Sequence, residues 1–138
     1  LVMFYLGGIR SASKLLAQQA KDTVDNAQAI ADLQAMVEQA RSLRADLCHD
    51  VDCLGPYLHE GWMRKRRLSA GISNPAVETA YQRALDAGAS GGKLLGAGGS
   101  GFLLLYAPRE NHPAIAEALQ GYEAHPVRVD TAGTTIIY

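Results

Sequence analysis

The feature that most constrains the fold of this sequence is a glycine-rich run that leads directly into an apolar segment. Six of the twelve residues from Gly91 to Phe102 are glycine, and Phe102–Tyr106 is apolar throughout. Glycine lacks a Cβ, so such a backbone can adopt positive φ angles and approach a ligand closely. Consecutive amides in that conformation form a concave nest for an anion. The run therefore predicts a glycine-rich loop before a central strand, with Lys93 and Ser100 adding a positive charge and a hydroxyl.

Residue spacing alone leaves two functions open for this loop. The run matches neither G-x-x-x-x-G-K-[ST] nor G-x-G-x-x-G, and it is followed by a strand where both of those motifs require a helix. A P-loop and a Rossmann loop are therefore excluded. A phosphate-facing loop and a tight hairpin, which needs glycine only for its shape, are equally supported by the pattern.

Composition limits the class of protein. The 138 residues, 48% of them hydrophobic and 20% charged, fit one globular domain. A net charge of −1 gives no basis for nucleic-acid or membrane partners, and no apolar run approaches the roughly 20 residues that span a bilayer. Cys48 and Cys53 fit no metal or redox spacing, which predicts reduced thiols and a cytoplasmic protein without a metal site.

The first half of the chain predicts a strand followed by helices. Leu1–Leu6 is an apolar run that ends at Gly7-Gly8. Ser11 or Ser13 can cap a first helix that carries Leu15 and Leu16 inward, and Asn26 can cap a second. From there a stripe of apolar residues recurs every three or four positions as far as Leu58, which predicts a long amphipathic helix. Gly55-Pro56 breaks or re-caps this helix. The stripe comprises Ile30, Leu33, Val37, Ala40, Leu43, Leu47, Val51, Leu54 and Leu58.

The second half predicts a mixture of helices and strands. Asn74-Pro75 begins a helix that ends at Gly88, and a short helix covers Pro113–Leu119. Val127–Val129 and Thr134–Tyr138 are β-rich. The order of elements predicts an α+β fold, a ferredoxin-like (split βαβ) antiparallel sheet covered by helices, with extra helices inserted after the first strand.

The segment from Lys93 to Gly101 resembles the third conserved motif of the GHMP kinases, approximately K-x-x-G-A-G-x-G-G. Ser100 stands where that family most often has glycine. The segment at 6–13 resembles the strand, turn and helix that open this lobe in the family. Those at 62–69 and 71–75 are similar to segments of the heptose-phosphate kinase and fucokinase branch. The resemblance extends over nearly the whole chain, and it implies a GHMP kinase C-terminal domain over residues 1–138.

This resemblance implies an activity, and it implies that the catalytic groups lie in another lobe of the enzyme. GHMP kinases transfer the γ-phosphoryl group of ATP to a hydroxyl, here of a sugar, with Mg²⁺ assisting. Their main phosphate loop, catalytic acidic residue and magnesium ligands lie in an N-terminal lobe, which is the expected partner of this chain. Leu1 is not a methionine, which suggests an excised fragment. We therefore expect no catalytic residue here and no turnover by the fragment alone. The residues implied to face the nucleotide are Lys93, Gly96, Ala97, Gly98, Gly99, Ser100 and Gly101.

The basic residues are the candidates for substrate binding. Arg10 lies between the first strand and a helix, where it could meet an anion or form an ordinary ion pair. The run Arg64–Arg67 could form a solvated face or a nucleic-acid contact, or Lys65 or Arg66 could bind a sugar phosphate. The rival function is a stand-alone ferredoxin-like binding or assembly module without catalysis. A fragment that exposes apolar surface could also form a homodimer.

Overall fold

The protein is described by a computed structural model that covers residues 1–8, 12–24 and 26–136. A four-stranded antiparallel sheet has the order β2-β3-β1-β4, with four helices between its first two strands in sequence. The elements are β1 (Val2–Tyr5), α1 (Ala12–Val24), α2 (Ala27–Asp46), α3 (Leu54–Lys65), α4 (Pro75–Asp86), β2 (Gly91–Leu94), β3 (Phe102–Tyr106), α5 (His112–Ala118) and β4 (Glu123–Pro126). This order confirms the ferredoxin-like α+β fold with extra helices after the first strand.

The core lies between one face of the sheet and the helices. Strand residues alternate between faces, and Leu103 pairs across the sheet with both Phe4 and Leu94. All three are buried on the same face, together with Leu105. The helices contribute further fully buried side chains, namely Trp62 of α3, Val77 of α4 and Ile115 of α5. Within the described part of the chain, no helix has the length and apolar character needed to cross a membrane.

Helix α3 lies directly against the edge strand β2 because both elements carry glycine where they meet. A Cβ added to Gly91 would lie 2.0 Å from the carbonyl oxygen of Gly55. The ring of His59, on α3, makes a 2.8 Å hydrogen bond through Nδ1 with the hydroxyl of Tyr81, on α4. These contacts place the C-terminal end of α3, which carries Lys65, beside the glycine-rich loop.

Both asparagine caps are confirmed. The side chain of Asn26 accepts from the amides at the start of α2, and that of Asn74 accepts from Val77 at the start of α4. The predicted long stripe is only partly correct, because α2 ends at Asp46 and a 3₁₀ turn at Val51–Cys53 precedes α3. Val37, on α2, and Val51, in the 3₁₀ turn, are 52% and 61% exposed. The main contacts of α2 are with α3 and α1, and they leave part of its apolar stripe uncovered.

Two further expectations about local structure need correction. Leu16 is 52% exposed and does not point into the core; Ser11 and the side chain of Leu15 lie outside the described residues. The last strand is Glu123–Pro126, and neither Val127–Val129 nor residues 134–136 form a strand. The register explains this, because β4 already pairs with all four residues of β1, from Val2 with Pro126 to Tyr5 with Glu123. Residues 137 and 138 lie outside the described part.

Candidate functional site

The loop between β2 and β3 adopts a conformation that requires glycine at several positions. Gly96, Gly98, Gly99 and Gly101 have φ angles of 79°, 112°, 74° and 108°, which L-residues with a Cβ rarely adopt. The amide of Leu95 donates to the carbonyl of Phe102 at 2.8 Å and closes the base of the loop. The glycines that the sequence singled out therefore determine the backbone path of this loop.

The loop is held on one side by the segment that precedes α4. The amide of Gly99 donates to the carbonyl oxygen of Ile72 at 2.8 Å, and a Cβ on Gly98 would lie 2.6 Å from the same oxygen. Asn74 serves both elements, since its Oδ1 caps α4 and its Nδ2 donates to the carbonyl of Gly99 at 2.7 Å. Hydrogen bonds therefore hold the loop against the start of α4.

On its other side the loop is bonded to the end of β1. The amide of Leu6 donates to the carbonyl of Gly101 at 2.8 Å, and the amide of Gly101 donates to the carbonyl of Gly7 at 3.1 Å. The Ser100 side chain packs over Gly8, where an added Cβ would lie 2.7 Å from the Ser100 Cβ. The loop thus lies between the first turn of the chain and the segment before α4.

These contacts decide which loop amides are available to a ligand. The amides of Gly99 and Gly101 are already bonded to backbone carbonyls. Those of Gly96, Ala97, Gly98 and Ser100 donate to no acceptor among the described residues. Gly98 is buried, whereas Gly96, Ala97 and Ser100 are not. The structure therefore offers an incomplete nest of three accessible backbone donors, at Gly96, Ala97 and Ser100, which can bind an anion.

Two lysines bring positive charge to the start of this loop. Lys65 Nζ donates to the carbonyl oxygen of Gly96 at 2.6 Å. Burial of the Lys65 ammonium lowers its pKa, and repulsion from Lys93 lowers it further. The side chain of Lys93 forms no hydrogen bond or ion pair with the described part of the protein. Two ammonium groups without a carboxylate partner favour the binding of an anion.

The other members of the basic run are occupied by carboxylates. Arg66 pairs with Glu78 on α4, and Glu78 also accepts from the hydroxyl of Ser73. Arg67 donates to both oxygens of Asp32 on α2, at 2.8 and 3.3 Å. The run is therefore an ion-paired junction between helices, and Lys65 is its one member directed at the loop. Arg10 lies outside the described residues.

Arg64 belongs to the same ion-paired junction. Arg64 pairs with Glu60 and lies 3.7 Å from Asp32.

Cys48 and Cys53 are both free thiols. Among the described residues there is no group of three or more His, Cys, Asp or Glu side chains that could hold a metal ion.

Sequence reasoning missed Asp32, although a signal for it exists. Asp32 is 2% exposed, and it stands inside the apolar stripe of α2, between Ala29 and Leu33. A carboxylate in a buried stripe requires a cationic partner. The hydrogen bond from Arg67 lowers the pKa of Asp32 below its usual range and outweighs the opposing effect of burial.

Replacing Asp32 by asparagine should lower the free energy of unfolding at pH 7 by about 2 kcal/mol, because Arg67 and Arg64 lose their shared partner. The folded-state pKa of Asp32 is lowered, so its stabilisation is present above the unfolded-state pKa of about 3.9 and is lost as the pH falls through the folded-state value. Urea denaturation at pH 7 and pH 3 measures both effects. The matched control is Glu38→Gln, since Glu38 and Arg41 form an exposed pair, worth about 0.5 kcal/mol at most. Equal losses in the two variants would contradict a structural role for Asp32.

Comparison with known proteins assigns this arrangement to a family. Residues 33–125 match the family model described as GHMP kinases C terminal. The chain is 27% identical over 124 residues to D-glycero-alpha-D-manno-heptose 7-phosphate kinase of Campylobacter jejuni subsp. jejuni serotype O:2, and this match covers 87% of the chain and 37% of the relative.

Solved structures agree in fold. L. major mevalonate kinase in complex with R-mevalonate superposes with a TM-score of 0.72 at 24% identity, covering 86% of this chain and 37% of that one. The Methanococcus jannaschii mevalonate kinase superposes with a TM-score of 0.68 at 17% identity, covering 90% and 37%. The chain thus spans little more than a third of the length of the relatives it matches. It belongs to the GHMP kinase family and has the fold of that family's C-terminal domain.

Proposed function

We propose that residues 1–138 form the C-terminal lobe of a cytoplasmic, ATP-dependent sugar kinase, with a heptose 7-phosphate as the acceptor. The observation that carries the proposal is that Lys65 and Lys93 both lie near a glycine loop with three unbonded amides in residues that are not buried. The relative from Campylobacter jejuni is named as a kinase of D-glycero-alpha-D-manno-heptose 7-phosphate, and that sugar already carries an anionic group.

Phosphoryl transfer depends mainly on positioning and on neutralising charge. In this proposal the amides of Gly96, Ala97 and Ser100 donate to anionic oxygens at the nucleotide side of the cleft. Lys93 adds positive charge there, and Lys65 binds the phosphate of the acceptor. Arg66 and Arg10 are secondary candidates for the acceptor, and Arg66 would have to leave Glu78 to take part.

The remaining chemistry is assigned to an N-terminal lobe. Mg²⁺ would supply positive charge that offsets the negative charge of the transferring phosphoryl group. The described residues offer no group of carboxylates able to hold that ion, so we propose that its ligands, and the residue that accepts the hydroxyl proton, come from the other lobe. This chain by itself would then give no turnover.

The proposal is tested with the full-length protein and a panel of acceptors, with ATP and Mg²⁺ present and release of ADP as the readout. The panel comprises heptose 7-phosphate, unphosphorylated heptose, fucose and mevalonate. We expect acceptor-dependent ADP release that is fastest with heptose 7-phosphate, and none from the 138-residue chain alone. Absence of turnover with every acceptor would favour a ferredoxin-like binding module instead.

Replacing Lys65 by methionine in the full-length protein should raise the KM for a phosphorylated acceptor at least about tenfold. A hydrogen bond to a charged group contributes about 1.5–3 kcal/mol, which corresponds to that factor. The KM for the unphosphorylated sugar should change much less, because it offers Lys65 no anion. Lys21→Met on α1 is the control for loss of one positive charge. An unchanged KM for the phosphorylated acceptor would remove Lys65 from the site.

A further inference from the structure

A cavity of about 230 Å³ lies between α2, α3 and β2. Its wall is mainly apolar, with Met36 and Leu43 contributed by α2 and Leu58 and the ring of Tyr57 by α3. This volume accommodates an aromatic ring system or a short acyl chain. No residue of the loop from Gly96 to Gly101 lines the cavity, and that loop is bonded instead to Ile72 and Gly7.

One charged side chain lines this cavity among the described residues, and it is Lys93. The ammonium group of Lys93 has no hydrogen-bond or ion-pair partner in the described part of the chain. Gln39, which also lines the cavity, donates to Glu60, and Glu60 is in addition paired with Arg64. An apolar wall with one unpaired ammonium group complements an apolar molecule that carries one negative charge.

One residue that lines the cavity is a glycine whose backbone conformation does not require glycine. Gly61 lies in the interior of α3 and lines the cavity, and its φ angle is not in the positive region. A Cβ there would meet only the end of the Gln39 side chain, at 3.2 Å. Glycine in a helix interior costs about 1 kcal/mol relative to alanine. Glycine at position 61 therefore makes α3 less stable than alanine would, and a larger side chain there would fill the cavity.

From these three observations we propose that the cavity is a binding site for a small organic anion. The apolar body of the ligand lies between α2 and α3 over Gly61, and its carboxylate or phosphate group meets the ammonium of Lys93. Because Lys93 lies three residues before Gly96, such a ligand would compete with the glycine loop for the charge of Lys93. The site is separate from the proposed acceptor site at Lys65.

The test is a titration of the full-length protein with indole-3-acetate and with its neutral isostere indole-3-acetamide, followed by calorimetry. Hexanoate and hexanamide form a second pair of probes with a linear body. For each pair we expect saturable binding, with the anion at least about fivefold tighter, which is the gain from one charge-assisted contact at a partly exposed site. Lys93→Met should make anion and amide bind equally, whereas Lys21→Met should leave the difference unchanged.

A cavity-filling variant separates this site from other surfaces of the protein. Gly61→Leu should reduce the binding of both members of each pair at least about tenfold, and Gly61→Ala should reduce it less and serves if the leucine variant does not fold. The proposal is overturned if neither probe pair binds, if anion and amide bind equally to the unaltered protein, or if the Gly61 variants bind normally. Kinase activity does not enter these readouts, so the inference can fail or succeed independently of the proposed function.

Discussion

Replacing Gly98 by alanine is expected to lower the free energy of unfolding by roughly 3 kcal/mol and to abolish phosphoryl transfer by the full-length protein. The φ angle of Gly98 is 112°, and the added Cβ would lie 2.6 Å from the carbonyl oxygen and 2.8 Å from the Cα of Ile72. These neighbours are backbone atoms and cannot rotate away, so overpacking of about 1–3 kcal/mol adds to backbone strain of about 1–2 kcal/mol. The measurements are urea denaturation and acceptor-dependent ADP release.

Gly96→Ala is the control that separates backbone strain from contact with Ile72. Gly96 has a φ angle of 79°, and a Cβ there would meet nothing within 4 Å. Only the strain remains, so the expected loss is about 1 kcal/mol. If the two variants lose the same stability, the contact between Gly98 and Ile72 does not hold the loop.

The second large effect is expected where α3 meets β2. In Gly91→Ala the Cβ would lie 2.0 Å from the carbonyl oxygen of Gly55 and 3.0 Å from the Cβ of His59. The helix must move away from the strand, at a cost of about 3 kcal/mol. This movement also displaces Lys65 from Gly96, so the KM for a phosphorylated acceptor should rise together with the loss of stability.

The matched control for this contact is Gly121→Ala, because Gly121 has a φ angle of 101° and open space around it. Its expected loss is about 1 kcal/mol, arising from strain alone, with no change in KM. A Gly91 variant as stable as the Gly121 variant would show that α3 does not press on β2 as described. Thermal unfolding and steady-state kinetics of the two variants make the comparison.

Features that depend on neighbouring residues were predictable from the sequence. Asn26 and Asn74 cap helices because their side chains reach amides two or three residues away, and such bonds need no tertiary partner. The glycine loop was predictable for the same reason, since positive φ angles are a local requirement. The order of the elements was then enough to give the ferredoxin-like fold.

Features that depend on distant residues were not predictable. The apolar stripe of α2 indicated a buried face, but Ile30 is 41% exposed because periodicity does not reveal which element covers a helix. The β propensity of Val127–Val129 was overridden by the register of β4 on β1, which ends at Pro126.

The candidate site likewise combines local features, which were predictable, with features that depend on distant residues, which were not. The glycines and Lys93 are contiguous in sequence, and the motif predicted them together. Lys65 lies 31 residues before Gly96 and reaches it only because α3 packs on β2. The ion pairs that occupy Arg66 and Arg67 likewise depend on carboxylates from α4 and α2. Spacing within the basic run could not have identified which of its members remains directed at the loop.

The most direct test of the phosphate-facing loop is amide hydrogen exchange, measured by NMR in the full-length protein with and without ATP, Mg²⁺ and acceptor. Ligand oxygens should slow the exchange of the unbonded amides of Gly96, Ala97 and Ser100 at least about tenfold, as expected for newly formed hydrogen bonds. The amides of Gly99 and Gly101, which are already bonded, should change much less. Unchanged exchange of the amides of Gly96, Ala97 and Ser100 at saturating nucleotide and acceptor would contradict the account.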